Sequence, residues 1–474
     1  MRKLIAAIAM VFLGFGVVEG QTCPSSCDTI TSGSQTFCRC LIHRSSDTLD
    51  RMQLVTDEPL TIVDVNGDGL RDIPFGIWAS GRIGAYVLLQ SDSGIPGNFT
   101  EVKISDTSTY GITAIGDING DGILDFATTT HWSGHKALIL TSPGYVGPYN
   151  ESLLFYDYDA IPNSITSTRD LVFFTDYAGA LTYYNLRDSS LTRLLDSTNR
   201  YCGDGIAIGD FNGDGYTDAA CSNYSGSPSS SFNGLVVHYI RPFLGTPPEV
   251  ISTEPFQGIV AYDFDDDGAP DIAAAGEKVS IFYNERGSWT EVVLDSNFAY
   301  SSFGIPFSRV NIMDIDCDGD VDIVAATSCP TGDGATLVWY ENVDMRARTW
   351  ERHPIEFGGN NCSGGRPYPY GLRVGLLDER DTLGRGDIVI VWNASNELWA
   401  YYNVSTDAPE CKILGEDDEL AVSERRSFSR DETVSVFSAD GRRIFHGRFS
   451  DVPSLGPGVY FVVGRGHVEK VVVK

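Results

Sequence analysis

The chain has 474 residues, 42% of them apolar, enough for one large repeat architecture or two to three ordinary domains with a sizeable core. A formal net charge of −30 and a pI near 4.4 make nucleic acid and anionic membrane surfaces poor partners. Fifty glycines, 22 tyrosines and 24 phenylalanines favour short strands and tight turns over helices.

Residues 1–20 read as an export signal: Arg2 and Lys3, an apolar stretch from Leu4 to Val18, and Val18-Glu19-Gly20 with small residues at −3 and −1. The spacing predicts cleavage between Gly20 and Gln21. That apolar stretch is short for a membrane span, and no other segment comes close, so no transmembrane span is expected in the mature chain. The mature chain carries ten cysteines, an even number in an exported protein, which predicts disulfides of unreadable connectivity. Cys23, Cys27, Cys38 and Cys40 crowd a short segment over 21–35 and just beyond. Their x₃ and x₁ spacings lack the paired Cys-x₂-Cys knuckles of a zinc site.

An internal repeat dominates the middle of the chain. "VDVNGDGLRDIP" begins at Val63, "GDINGDGILDFA" at Gly116, "GDFNGDGYTDAA" at Gly209, "YDFDDDGAPDIA" at Tyr262 and "MDIDCDGDVDIV" at Met313. Each reads Asp-x-Asx-x-Asp-x-x-x-Asp and runs into apolar residues. Two degenerate copies, "YDYDAIPNSITSTRDLVFF" from Tyr156 and "LDERDTLGRGDIVIVW" from Leu377, fill the remaining gaps. The first Asp of each falls at 64, 117, 157, 210, 263, 314 and 378, a mean step of about 52 residues, near the length of a propeller blade.

A strand-like run comes after every loop, often ending in Tyr-x-Asn: "LTYYN" (181–185), "VSIFYN" (279–284), "TLVWYEN" (336–342) and "ELWAYYN" (397–403). "SWTEVVL" (288–294) and "TWERHPI" (349–355) read as outer strands. The pattern predicts an all-β, seven-bladed β-propeller with calcium-binding loops over 36–414, eight blades being the alternative. "TFCRCLIH" (36–43) and "RMQLV" (51–55) read as outer strands that complete the last blade.

The five intact loops resemble those of the FG-GAP/VCBS repeat family, which also builds the calcium-loaded propeller of integrin α-chains. The chemistry agrees. Calcium takes six to eight oxygens, and positions 1, 3, 5 and 9 with a carbonyl at 7 supply most of them. The candidate side-chain ligands are Asp64, Asn66, Asp68 and Asp72; Asp117, Asn119, Asp121 and Asp125; and Asp210, Asn212, Asp214 and Asp218. Asp263, Asp265, Asp267 and Asp271 form the fourth set, and Asp314, Asp316, Asp318 and Asp322 the fifth. Leu70, Ile123, Tyr216, Ala269 and Asp320 lend carbonyls. Unlike an EF-hand, each loop runs into a strand, so the ninth-position Asp takes the role of the missing twelfth ligand. About five structural Ca²⁺ ions are expected, none in the degenerate loops.

No nucleophile elbow is present, and His131 and His135 ("HWSGH") lack a helix pattern or a neighbouring Glu. Aromatics recur where the face opposite the loops is expected: Trp78, Tyr110, Trp132, Tyr201, Tyr224, Phe303 and Tyr370. They are candidates for stacking on a glycan or gripping an extracellular protein, or else wedges between blades. Residues 415–432 are charged and read as a linker. Residues 433–474 predict strands around an Asp440-Gly441 turn and a Gly-Pro-Gly turn, a small β-sandwich-like domain. With "GRRIF", "LGPGVYFVV" and the closing "KVVVK", this tail resembles the C-terminal sorting domain of the type IX secretion system. That resemblance implies secretion or outer-surface attachment, with the secretion machinery as a partner. The expectation is a non-catalytic secreted or surface binding protein; a polysaccharide lyase or hydrolase on the same fold is the alternative.

Overall fold

The computed structural model describes residues 23–46, 52–53, 62–77, 82–92, 94–130, 135–156, 162–168, 171–176, 180–194, 201–223, 232–240, 247–286, 288–299, 308–327, 329–358, 369–377, 386–392, 397–405, 433–438, 443–448, 458–464 and 467–473. The chain divides into two compact units, Met1–Ser423 and Glu424–Lys474. All regular structure among the described residues is β.

The first unit is a seven-bladed propeller. Blade 1 holds β3 (Met52–Gln53), β4 (Ile73–Ile77), β5 (Gly84–Gln90) and β6 (Phe99–Ser105). Blade 2 holds β7 (Ile112–Gly116), β8 (Asp125–Thr129), β9 (Lys136–Thr141) and β10 (Asn150–Tyr156). Blade 3 holds β11 (Pro162–Ser167), β12 (Leu171–Asp176), β13 (Leu181–Asn185) and β14 (Leu191–Leu194). Blade 4 is built of β15 (Ile206–Gly209), β16 (Asp218–Asn223), β17 (Gly234–His238) and β18 (Glu249–Ser252). In blade 5 come β19 (Phe256–Tyr262), β20 (Asp271–Gly276), β21 (Val279–Asn284) and β22 (Trp289–Asp295). Blade 6 has β23 (Ser308–Met313), β24 (Asp322–Thr327), β25 (Ala335–Asp344) and β26 (Thr349–Phe357).

Blade 7 joins the two ends of the propeller. Its inner strands are β27 (Pro369–Gly375), β28 (Asp387–Trp392) and β29 (Glu397–Asn403), while β2 (Gln35–Arg44) and β1 (Asp28–Ser32) supply the outer two. The register of β2 on β29 runs from Phe37 opposite Asn403 to Arg44 opposite Glu397. The expectation for 36–43 therefore matches the fold, but that for 51–55 does not. Met52 and Gln53 pair with Ile77 and Gly76 as the innermost strand of blade 1. The sequence run is short and apolar, and such a run is equally suited to either edge of a blade.

A single four-stranded sheet cannot bury both faces, and the core shows how the ring solves this. Among the described residues there are seven apolar clusters, each joining two neighbouring blades. Second strands are buried on both sides, and successive residues feed opposite clusters. In β20, Ile272 and Ala274 face blade 4 while Ala273 and Ala275 face blade 6. The small side chains of this "DIAAAG" run let two blades close on it from both sides. Disulfides Cys23–Cys38 and Cys27–Cys40 tie the segment before β1 to β2, and Cys202–Cys221 lies within blade 4.

Among its described residues the second unit forms one antiparallel sheet rather than the two facing sheets of the expected sandwich, in the order β31 (Arg443–Arg448), β30 (Thr433–Ser438), β32 (Gly458–Gly464), β33 (His467–Val473).

Candidate calcium loops and their braces

Every intact loop joins the first strand of its blade to the second, and each folds around its first Asp. Asp64 Oδ1 accepts from the amides of Gly67 (2.7 Å) and Asp68 (3.2 Å), and Oδ2 accepts from Gly69 (2.9 Å). Asp117, Asp210, Asp263 and Asp314 repeat this in whole or in part. The fifth-position carboxylate caps the amide of the seventh residue in all five loops: Leu70, Ile123, Tyr216, Ala269 and Asp320. The backbone reversal at position 6 sits at φ between +81° and +99°, where glycine alone avoids steric cost. Position 4 is also left-handed, and in loops 4 and 5 it is filled by Asp266 and the disulfide-bonded Cys317.

The ninth-position Asp is the residue that enters the second strand. In four of the five intact loops its two oxygens grip different elements, while Asp218 uses one oxygen, on the amide of Ile240. Asp72 accepts from the amides of Val65 (2.9 Å) and Gln90 (2.8 Å). Asp125 grips Ile118 and Ser142, Asp271 grips Phe264 and Asn284, and Asp322 grips Ile315 and Asn342. Each thus fastens the loop to the end of the third strand.

The degenerate loop of blade 7 keeps this brace. Asp387 accepts from the amides of Leu377 and Asn403, both at 2.8 Å. Leu377 therefore stands at position 2 and apolar Leu376 at position 1, so Asp378 is not the first loop residue. The loop is three residues longer than the others, which hid the alignment.

The recurrent Asn after the third strand also has a purpose here. Its carboxamide donates to the second-position carbonyl of the preceding blade's loop: Asn284 to Phe211 (2.7 Å), Asn342 to Phe264 (3.3 Å) and Asn403 to Ile315 (2.8 Å). Gln90 does the same toward Leu377 (2.9 Å), bridging blade 1 to blade 7.

Within the loops the carboxylates converge. Ligand-type oxygens of Asp263, Asp265 and Asp271 lie within 4.8 Å of one another, as do those of Asp314, Asp316 and Asp322. Asp218 Oδ2, Asp265 Oδ1 and Asp314 Oδ1 are buried and accept no hydrogen bond, an expensive arrangement for carboxylates. Arg348 of blade 6 takes the other oxygen of Asp265, through Nε (3.0 Å) and a terminal nitrogen (2.8 Å). Burial pushes Asp72, Asp218 and Asp316 up to about 7, Asp271 up to about 8, and Asp314 up to about 6. It raises Asp322 well above the usual range. Asp117, fully exposed, is instead held low by the amides led by Gly122. The donor set is all oxygen, crowded and short of positive charge, and it fits a hard divalent cation.

The aromatic candidates fare differently. Tyr110 and Tyr201 are buried; Tyr201 packs in the cluster between blades 3 and 4 and meets Phe232 edge-on at 5.0 Å. Trp78, Trp132, Tyr224 and Phe303 lie outside the described residues, as does His131, and Tyr370 is placed only as a backbone position of β27. The four N-terminal cysteines are spent in two disulfides and hold no zinc. Cys202, Cys221 and His238 also cluster, but the two sulfurs are bonded to each other. Among the described residues no helix is long and apolar enough to cross a membrane.

Residues 263–325 match the FG-GAP-like repeat family, spanning loops 4 and 5 and the strands β20 to β23 between them. No curated protein matches the chain. Among solved structures, the crystal structure of the N-terminal domain of Nup159 is similar at 11% identity and a TM-score of 0.45, over 79% of this chain and 97% of that one. The matched repeat lies within a closed ring of seven sheets, so the chain is a seven-bladed β-propeller that carries an FG-GAP-like repeat.

Proposed function

We propose that the protein is an exported propeller whose five intact loops hold structural calcium, and whose task is to bind a glycan or an extracellular protein rather than to catalyse. The observation that carries the calcium reading is the buried, unsatisfied carboxylate oxygen in loops 3, 4 and 5, at Asp218, Asp265 and Asp314. Calcium there would be held by positions 1, 3, 5 and 9 with the seventh-position carbonyl, neutralising carboxylates that otherwise repel one another. The N-terminal disulfides support an oxidising destination. The signal-like start and the sorting-domain-like tail favour secretion or surface attachment through a type IX route. The architecture supports a binding role: the loops are consumed in bracing the ring, leaving the opposite face to meet a partner.

Thermal melts with calcium and with excess EDTA test the metal. The midpoint should fall clearly on chelation, and an unchanged midpoint removes calcium from the account. A glycan array run beside a reducing-sugar release assay tests the activity. Binding without product is expected, and released product would replace the binder reading with catalysis.

A further inference from the structure

A second set of ligand-type side chains meets on the two outer strands of blade 6, beside loop 5, where Glu341 precedes the Asn342 whose amide Asp322 accepts. β25 and β26 are antiparallel, with Glu341 directly opposite Glu351 and His353 opposite Trp339. Residues two apart on a strand, and their cross-strand partners, share one face of the sheet. Glu341, Glu351 and His353 therefore project together, and one ligand-type atom of each lies within 4.8 Å of the others.

The imidazole is fixed from two sides. It stacks on the Trp339 ring with centroids 4.5 Å apart. Gly33, at φ +58°, packs against it so closely that a Cβ there would stand 2.6 Å from Nδ1. Its Nε2 is 2.7 Å from Glu341 Oε2.

The charge balance around this group is poor. Carboxylates directly opposite on paired strands repel each other, and Asp316 of loop 5 is near enough to feel Glu341. Two arginines of the same hairpin are committed elsewhere: Arg352 to Asp295 and Asp333, Arg348 to Asp265 and Glu285. Among the described residues Glu351 has no basic side chain within ion-pair distance.

We propose that Glu341, Glu351 and His353 form a binding site for a first-row divalent cation of the zinc type. One imidazole nitrogen and two carboxylate oxygens, with water completing the shell, make a tetrahedral set of the kind zinc accepts. The imidazole sets this site apart from the all-oxygen loops, because calcium takes oxygen ligands. The metal occupies the Nε2 lone pair; any proton there leaves to solvent, and the remaining ring proton sits on Nδ1. The site lies on the face of blade 6 that meets β1, so a bound ion stiffens the hairpin against which the N-terminal strand closes.

The test uses the full chain without an affinity tag, held in millimolar calcium so that the Asp-rich loops are saturated. Zinc is titrated by calorimetry, and cobalt is followed by visible absorption. A single zinc that calcium does not displace is expected, with the cobalt bands of a tetrahedral site. Glu351→Gln should weaken binding by more than about tenfold, and His353→Gln should abolish it. Glu351 is exposed, so its variant should keep the wild-type melting point in calcium and isolate the metal effect. Zinc affinity unchanged in both Glu351→Gln and Glu341→Gln, or no zinc taken up by the wild type, overturns the site.

Discussion

Asp387 and Asp271 occupy the same place in their blades, and both grip two backbone amides. Only Asp271 stands in a loop with a full set of carboxylates. Removing either leaves buried amides without acceptors, at a cost of about 2–4 kcal/mol. Asp387→Ala should therefore lower the denaturation midpoint equally with calcium and with EDTA, whereas the deficit of Asp271→Ala should be larger in calcium. Denaturant melts of the two variants in both conditions make the comparison; equal deficits for Asp271→Ala would mean its carboxylate serves the backbone alone. The spacing of the ninth Asp is legible in the sequence, but its brace is not. Alternating acids announce a cation, while the amides they hold belong to a third strand some 13 to 22 residues away.

Polar contacts also join strands across blades, and one cluster couples blade 1 to blade 7. Glu101 on β6 meets Arg82 at 2.7 Å, and His43 on β2 of blade 7 at 3.0 Å. Burial by itself raises the Glu101 carboxyl, but His43 and Arg82 outweigh it and hold it at about 2, against an ordinary 4.5. Because folding lowers this pKa, the contribution is complete above 4.5 and is lost as the pH falls toward 2. Wild-type protein should lose melting temperature over that window more steeply than Glu101→Gln; parallel acid limbs in thermal melts would dismiss the cluster as a stabilising element. Most strands could be read from alternation and turn residues, and the Tyr-x-Asn runs fell correctly on third strands. The failure at 51–55 came from a run too short to show which blade edge it occupies. The shifted alignment at Leu377 arose because Asp378 imitates a first-position ligand.

The ring as a whole depends on its two ends meeting. Without β1 and β2, blade 7 retains only three strands, and Cys38 and Cys40 leave the cluster shared with blade 1. The disulfides Cys23–Cys38 and Cys27–Cys40 close short loops, worth about 2–4 kcal/mol each. Replacing all four cysteines by serine should lower the melting point and raise amide exchange in β2 and β29 before other blades. Uniform loosening of all seven blades would argue against this seam as the weak point. Repeated loops in six of the seven blades made the ring legible, since a blade with two apolar faces requires neighbours on both sides. The copy from Tyr156 was a misalignment, because Asp157 precedes the first strand of blade 3 and β11 (Pro162–Ser167) occupies the middle of that copy. The pairing of the seam cysteines was not legible, because spacing alone leaves connectivity open.

The pairing of Phe37 with Asn403 carries a consequence for how the molecule is made. β2 precedes all six other blades in the chain and must wait for the last strand of blade 7 before it finds its partner. Contacts so distant in sequence are slow to form, and β29 presents an open edge until they do. Under the export proposed above, a chain threaded from its N-terminus could not seat this strand on the way through, and ring closure and cysteine oxidation would both belong to the destination compartment.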